Sequence, residues 1–170
     1  MEWTGARYAD APTVEVRRRI EAPPRRVWEL VSDIDLMPRL SDELCAVAWA
    51  DETRGVGARF VGRSEHPSFG TWETTSYVIA CEPPREFAWA VGEPELPSAV
   101  WRFTLTEEED GATGLTQWMR LGPGRSGLSY AIDRMPEKEQ KIVYVRLREF
   151  ERNMGATLDA LKALAEGEAR

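Results

Sequence analysis

PEKEQKIVYVRLREFERNMGATLDALKALAE, residues 136–166, carries the longest regular pattern in the chain. Its apolar residues Val143, Leu147, Phe150, Met154, Leu158, Leu161 and Ala165 recur at intervals of three and four, the spacing of one helix face. The opposite side is charged, through Lys138, Lys141, Arg148, Glu151, Arg152, Asp159 and Lys162. A helix over 137–165 would run about 43 Å at ~1.5 Å per residue, enough to cross a small sheet. Such a stripe needs an apolar surface to lie on, and only the strands before it can supply one.

Working back from the helix, period-two alternation takes over. The run 99–121 reads as a hairpin turning at Asp110 and Gly111, with Trp101, Phe103 and Leu105 inward on one arm and Leu115, Gln117, Met119 and Leu121 on the other. REFAWAVG alternates Phe87, Trp89 and Val91 after the turn at Pro83 and Pro84. In GTWETTSYVIACE the phase is ambiguous; we take Trp72, Thr74, Ser76 and Val78 as inward and allow for a bulge. GARFVGRSEH puts Phe60, Gly62, Ser64 and His66 on one face, and ELCAVAWAD does the same for Cys45, Val47 and Trp49. Before these lie two short helical pieces, one opening at Pro23 and Pro24 and one interrupted at Pro38, and a first strand TVEVRRRIE. The expectation is one α+β domain over 1–170. Residues 1–12 would be a loose arm, and a seven-stranded curved antiparallel sheet would wrap the long C-terminal helix, with two short helices after the first strand.

The net charge of −7 argues against nucleic acid as a partner, because a phosphate backbone is bound by a concentrated basic face. The one local exception is Arg17, Arg18, Arg19, Arg25 and Arg26, which reads as a solvated strand edge and helix start, with docking of an acidic carrier protein as the alternative. No basic start followed by an apolar run opens the chain, and no stretch approaches the apolar length of a membrane span, so the expectation is a cytoplasmic protein without membrane insertion. Cys45 and Cys81, with no CxxC spacing, read as buried thiols.

Four segments, RRIEAPPRRVWELVSDI, GVGARF, CEPPREFAW and LGPGRSGL leading into the long helix, resemble the START-like or Bet v1-like (SRPBCC) superfamily. Within it they are similar to the polyketide cyclase/dehydrase and lipid-transport members, over about Val14 to Ala165. The resemblance implies the helix-grip fold and an apolar cavity between sheet and helix. It also implies that cyclases of this kind hold an arginine, tyrosine or acid inside. The strands here offer no inward arginine, since Arg102 alternates outward beside Trp101 and Phe103.

The chemistry left to the sequence is that of a lined pocket. Phe60, Trp72, Trp89, Trp101 and Phe103 would supply flat apolar walls, with Leu147 and Tyr144 from the helix. Ser64, His66, Thr74, Ser76 and Gln117 would supply the polar groups. His66 is the only histidine: a candidate general base, a ligand contact, or a solvent-facing hairpin residue. With neither cysteine nor carboxylate at ligand spacing around it, no metal is expected, and no cofactor either. The motifs GxSxG, GxGxxG and GxxxxGK[ST] do not occur. Gly122 to Pro136 reads as a connector with a turn of helix, or as a flap hinged at its glycines. The function expected is binding of a hydrophobic small molecule, a lipid, aromatic or polyketide. The alternatives are a cyclase/aromatase acting in the same cavity and a partner-binding module.

Overall fold

The computed structural model describes residues 1–167 of the chain. Seven strands form one antiparallel sheet in the order β1-β7-β6-β5-β4-β3-β2, with β1 at Thr13–Ile20, β2 at Leu44–Trp49, β3 at Arg59–His66, β4 at Gly70–Glu82, β5 at Glu86–Val91, β6 at Ala99–Glu107 and β7 at Thr113–Leu121. The first strand therefore pairs with the last, Val14 opposite Met119 and Val16 opposite Gln117. Helix α1 (Pro24–Val31) opens on Pro24, as its fixed φ suits a first turn, and Pro38 likewise sits in the first turn of the short α2 (Met37–Leu40) rather than interrupting a helix. Helix α3 (Gly127–Arg134) leads through a 3-10 turn into α4 (Glu139–Gly167), the 29-residue helix read from the 136–166 pattern.

The inward phases follow the alternation. β4 resolves its ambiguity with a register shift between Val78 and Ala80: Ser76 and Val78 are buried before it, and Cys81 pairs with inward Phe87 after it. A second shift, between Leu44 and Ala46, takes Cys45 out of the ladder, and its thiol is exposed rather than buried; Cys81 is half-buried. Helix α4 lies over β1 and the adjoining β7, not over the middle of the sheet. Its Leu158, Leu161 and Ala165 join a core with Ile20, Val27, Ile34, Phe87, Phe103 and Leu115. Its Val143, Leu147 and Met154 join a second core with Val14, Met119, Leu121 and Leu128.

The N-terminal arm is bound, not loose. Trp3 meets Tyr144 edge-on at 5.1 Å, Gln140 donates to the Gly5 carbonyl at 2.7 Å, and the Tyr8 hydroxyl donates to the Gly124 carbonyl at 2.5 Å. Trp3 and Gln140 thus strap it to α4, and Tyr8 ties it to the segment before α3. The segment 122–136 is a connector that carries a short helix, α3, with Leu128 and Ser129 buried and Gly124 so close to the Leu96 carbonyl that a Cβ would collide. The arginine cluster turns its charge on the chain's own carboxylates, with Arg17 on Glu108, Arg18 on Asp159 and Arg19 on Glu21, each at 2.8 Å.

Candidate functional site

The expected aromatic lining divides in two. Trp49, Phe60, Trp89 and Phe103 stack across β2 to β6 with centroid separations of 5.6, 5.9 and 6.1 Å, and Phe87 packs against Trp89 at 5.6 Å and Trp28 at 6.2 Å. Phe60, Trp89 and Phe103 are buried in this chain of edge-to-face and tilted contacts, so they belong to the packed core and not to an open wall. A second group remains half-exposed at the other end of the sheet. There Trp101 meets Phe150 of α4 at 5.5 Å, Trp72 meets Phe69 at 6.5 Å, and Phe69 lies against His66 at 4.6 Å. Ser64 and Thr74 share this half-exposed face, while Ser76 is buried. Leu147 is buried in the second core. Tyr144 is half-buried and turns toward the N-terminal arm: its hydroxyl donates to the Met1 carbonyl at 3.1 Å, its ring carries Trp3, and with Val143 and Leu147 it lines a hollow against the arm.

Gln117 lies where the two cores meet. Its strand neighbours Leu115 and Met119 belong to different cores, and Val16 and Phe103 flank it across the sheet. The side chain is 6% exposed and its Oε1 has no hydrogen-bond partner.

Beside the half-open aromatics lies a polar cluster that strand patterns alone do not reveal. Arg146 of α4 is 7% exposed and points inward. Its Nη1 and Nη2 donate to Oε1 and Oε2 of Glu43 at 2.6 and 2.9 Å, and Nη1 also donates to Glu149 Oε2 at 3.1 Å. The guanidinium lies over Phe150 at 4.2 Å and Phe69 at 5.4 Å, which covers its faces. His66 Nε2 is 2.7 Å from the same Glu149 oxygen. The Ser68 backbone N–H donates to His66 Nδ1 at 3.0 Å, so in the neutral ring the proton sits on Nε2 and is given to Glu149. Both ring nitrogens are therefore engaged, and neither offers a lone pair for a substrate proton. The hairpin histidine is thus neither solvent-facing nor a free base.

Carboxylates do converge on His66, contrary to expectation, because Glu43 precedes β2 and Glu149 comes from the helix rather than from neighbouring strands. Donor atoms of Glu43, His66 and Glu149 lie within 4.8 Å of one another. They do not suit a metal ion: the Arg146 guanidinium already bridges the carboxylates, and a metal at Nε2 would need the proton moved to Nδ1, where the Ser68 N–H points. One signal for Arg146 was present in the sequence. It stands three residues after Val143 and four before Phe150, inside the apolar stripe, where a charge needs a buried partner.

A curved antiparallel sheet gripping a C-terminal helix, with a partly polar interior between them, defines a START-like domain. The chain belongs to the polyketide cyclase/dehydrase and lipid-transport family, whose sequence profile matches residues 11–166. It is 32% identical to the polyketide-cyclase-like protein Cgl2372 of Corynebacterium glutamicum, over 93% of each chain, with a TM-score of 0.68. The fold is also that of the ZhuI aromatase/cyclase of Streptomyces sp. R1128, at 19% identity over 94% of this chain and 96% of that one, TM-score 0.69. The di-domain aromatase/cyclase StfQ of the steffimycin pathway is similar at 15% identity over 92% of this chain and 51% of its own, TM-score 0.70. Among curated proteins none matches this sequence. Within the described residues no helix is long and apolar enough to cross a membrane.

Proposed function

We propose that the protein binds an apolar small molecule, a lipid, aromatic or polyketide, between the inward face of β3, β4, β6 and β7 and the first half of α4. The observation that carries this is the Gln117 Oε1 atom, sealed from water at the seam of two apolar cores with no donor to meet it. An unsatisfied buried acceptor costs about 1–3 kcal/mol, and a ligand hydroxyl or N–H placed there would recover it. Trp72 and Trp101 stand on the same inward face and would report occupancy. Native mass spectrometry of freshly purified protein, with quenching of tryptophan fluorescence by a panel of apolar ligands, tests the proposal. Retained adducts or saturable quenching are expected, and Gln117→Met should weaken hydroxyl-bearing ligands selectively while leaving the fold as stable or more so. No adduct and no quenching by any ligand would refute it.

A second reading, turnover of the cyclase/aromatase kind, is favoured by the buried Arg146, an inward cation in a fold shared with ZhuI and StfQ. The chain's own contribution would be to fold and orient a reactive substrate. Since His66 has no free nitrogen, its replacement should leave any product profile unchanged, whereas replacement of Gln117 or Arg146 should alter it. A reconstituted synthase assay that yields the same products with and without this protein would remove the enzymatic reading.

A further inference from the structure

On the flank of α4 turned away from the Arg146 cluster, a cleft runs between the helix and the edge strand β1. Gln140, Tyr144, Leu147 and Glu151 follow one another at steps of four, three and four, so they share that flank, and Arg148 and Arg152 continue it from Tyr144 at steps of four. Among the described residues none of β2 to β7 lines the cleft, so it lies outside the grip of the sheet. Its first part is a hollow of about 270 Å³ roofed by the N-terminal arm, with Val143 and Leu147 of α4, Pro12, and Ala6 of the arm as apolar walls. Its second part is an open groove of about 730 Å³ with Arg17, Arg18, Arg148 and Arg152 along it. Gly155 lowers the helix wall of the groove, since a Cβ there would stand 3.4 Å from Arg18 Nη2. Tyr144 lines the hollow and Arg148 lines the groove, with its guanidinium over the Tyr144 ring at 5.8 Å, so the two parts adjoin.

The charges of the groove are unevenly spent. Arg17 and Arg18 are held by Glu108 and Asp159, each at 2.8 Å, and Glu151 by the Met1 amine at 3.3 Å. Among the described residues Arg148 and Arg152 have no carboxylate at ion-pair distance. They stand one turn apart on the same face, where like charges repel, and an anion between them relieves that repulsion. Glu2 lines the hollow, so a negative group is disfavoured there and accepted at the groove. We infer that this cleft is a second binding site, for a single-chain anionic amphiphile whose alkyl tail fills the hollow under the arm and whose carboxylate or phosphate head bridges Arg148 and Arg152. The path from Val143 to Arg152 measures about 13 Å along α4 at ~1.5 Å per residue, the reach of a medium alkyl chain. Arginine forks suit an oxyanion head of either kind. The site goes beyond the small-molecule reading above: it uses neither Gln117 nor the face of Trp72 and Trp101, and each stands or falls without the other.

The test titrates the full chain with decanoate, decyl phosphate and 1-decanol. Affinity is read by isothermal titration calorimetry, and location by heteronuclear NMR on the Arg148 and Arg152 Nε–H groups, the Ala6 amide and the tryptophan indoles. At least one anion is expected to bind about tenfold or more tightly than the alcohol and to shift the Arg148, Arg152 and Ala6 resonances. A tighter decyl phosphate assigns the head to a phosphate ester, and a tighter decanoate to a fatty acid. Arg148→Gln combined with Arg152→Gln should abolish the preference and leave decanol affinity unchanged, which also shows that the variant is folded. Ala6→Phe, which puts a ring into the hollow, should weaken the preferred anion about tenfold or more, with the Arg148 and Arg152 resonances of the free protein in place. An alcohol bound as tightly as both anions, a preference that survives the double substitution, or an anion bound as tightly by the Ala6→Phe variant overturns the second site, as does an absence of binding by any probe. Shifts confined to the Trp72 and Trp101 indoles overturn it too, while supporting the interior site.

Discussion

Replacing Arg146 by methionine keeps much of the side chain's bulk between Phe69 and Phe150 but strands two carboxylates. Removing one partner of a buried ion pair costs about 3–5 kcal/mol, most of it the penalty of the charge left behind. Glu43 and Glu149 keep 17% and 23% of their side-chain exposure, so water takes up part of that charge. A loss of about 2–3 kcal/mol is therefore expected. For a chain of this size each kcal/mol moves the unfolding midpoint by roughly 2–4 °C, which places the Arg146→Met midpoint roughly 4–12 °C below wild type. The assay is thermal unfolding by circular dichroism with a urea titration beside it. The decisive control adds Glu43→Gln and Glu149→Gln to the methionine background: with the stranded charges gone, at least half of the lost stability should return. A methionine variant within about 1 °C of wild type, or a triple variant less stable than the single one, would show that Arg146 does not hold these carboxylates in the interior.

Other expectations follow from single contacts. Leu147→Asp puts an unpaired charge among Val14, Met119 and Val143 and should leave the chain unfolded by circular dichroism at 25 °C; a folded variant would mean that the α4 phase is wrong. Gly124→Ala drives a Cβ into the Leu96 carbonyl and should cost about 1–3 kcal/mol in urea unfolding, with the β5–β6 loop displaced. Asp51 is held below the usual carboxylate range by the side-chain hydrogen bonds of Arg59, reinforced by the Arg59 backbone N–H. A depressed folded value adds stability above the ordinary carboxylate range and loses it as pH falls through that depressed value. Asp51→Asn should therefore be less stable than wild type near neutrality and converge with it in acid, as urea midpoints across a pH series would show.

How much of this the sequence disclosed depended on whether a residue obeyed the period of its own element. The α4 stripe, the inward aromatics and the closing of β6 on β7 were legible because apolar spacing and burial are the same fact seen twice. Trp72 was ambiguous because β4 changes phase at a bulge, which no window averaged over the strand can place. Glu43 and Glu149 carry no signal of their own in the sequence, because neither lies near His66 along the chain and most such charges are solvated. Arg146 broke the helical pattern from within, yet its meaning depends on a partner more than a hundred residues earlier. Tyr144 stands beside the stripe in sequence, but one residue turns a helix by about 100°, enough to aim its ring at the N-terminal arm rather than at the sheet.

The pairing of β1 with β7 has a consequence for how the chain is made. Thr13 finds its neighbour only when Arg120 has left the ribosome, roughly 5–20 s later at ordinary synthesis rates. Until then β3 to β6 can form a meander with Trp101 bare, since Phe150 of α4, the ring it packs on, is synthesised later. A nascent chain paused between Glu107 and Thr113 is thus the form most in need of a chaperone, and slowing translation there should cost yield of native protein even though it alters no residue.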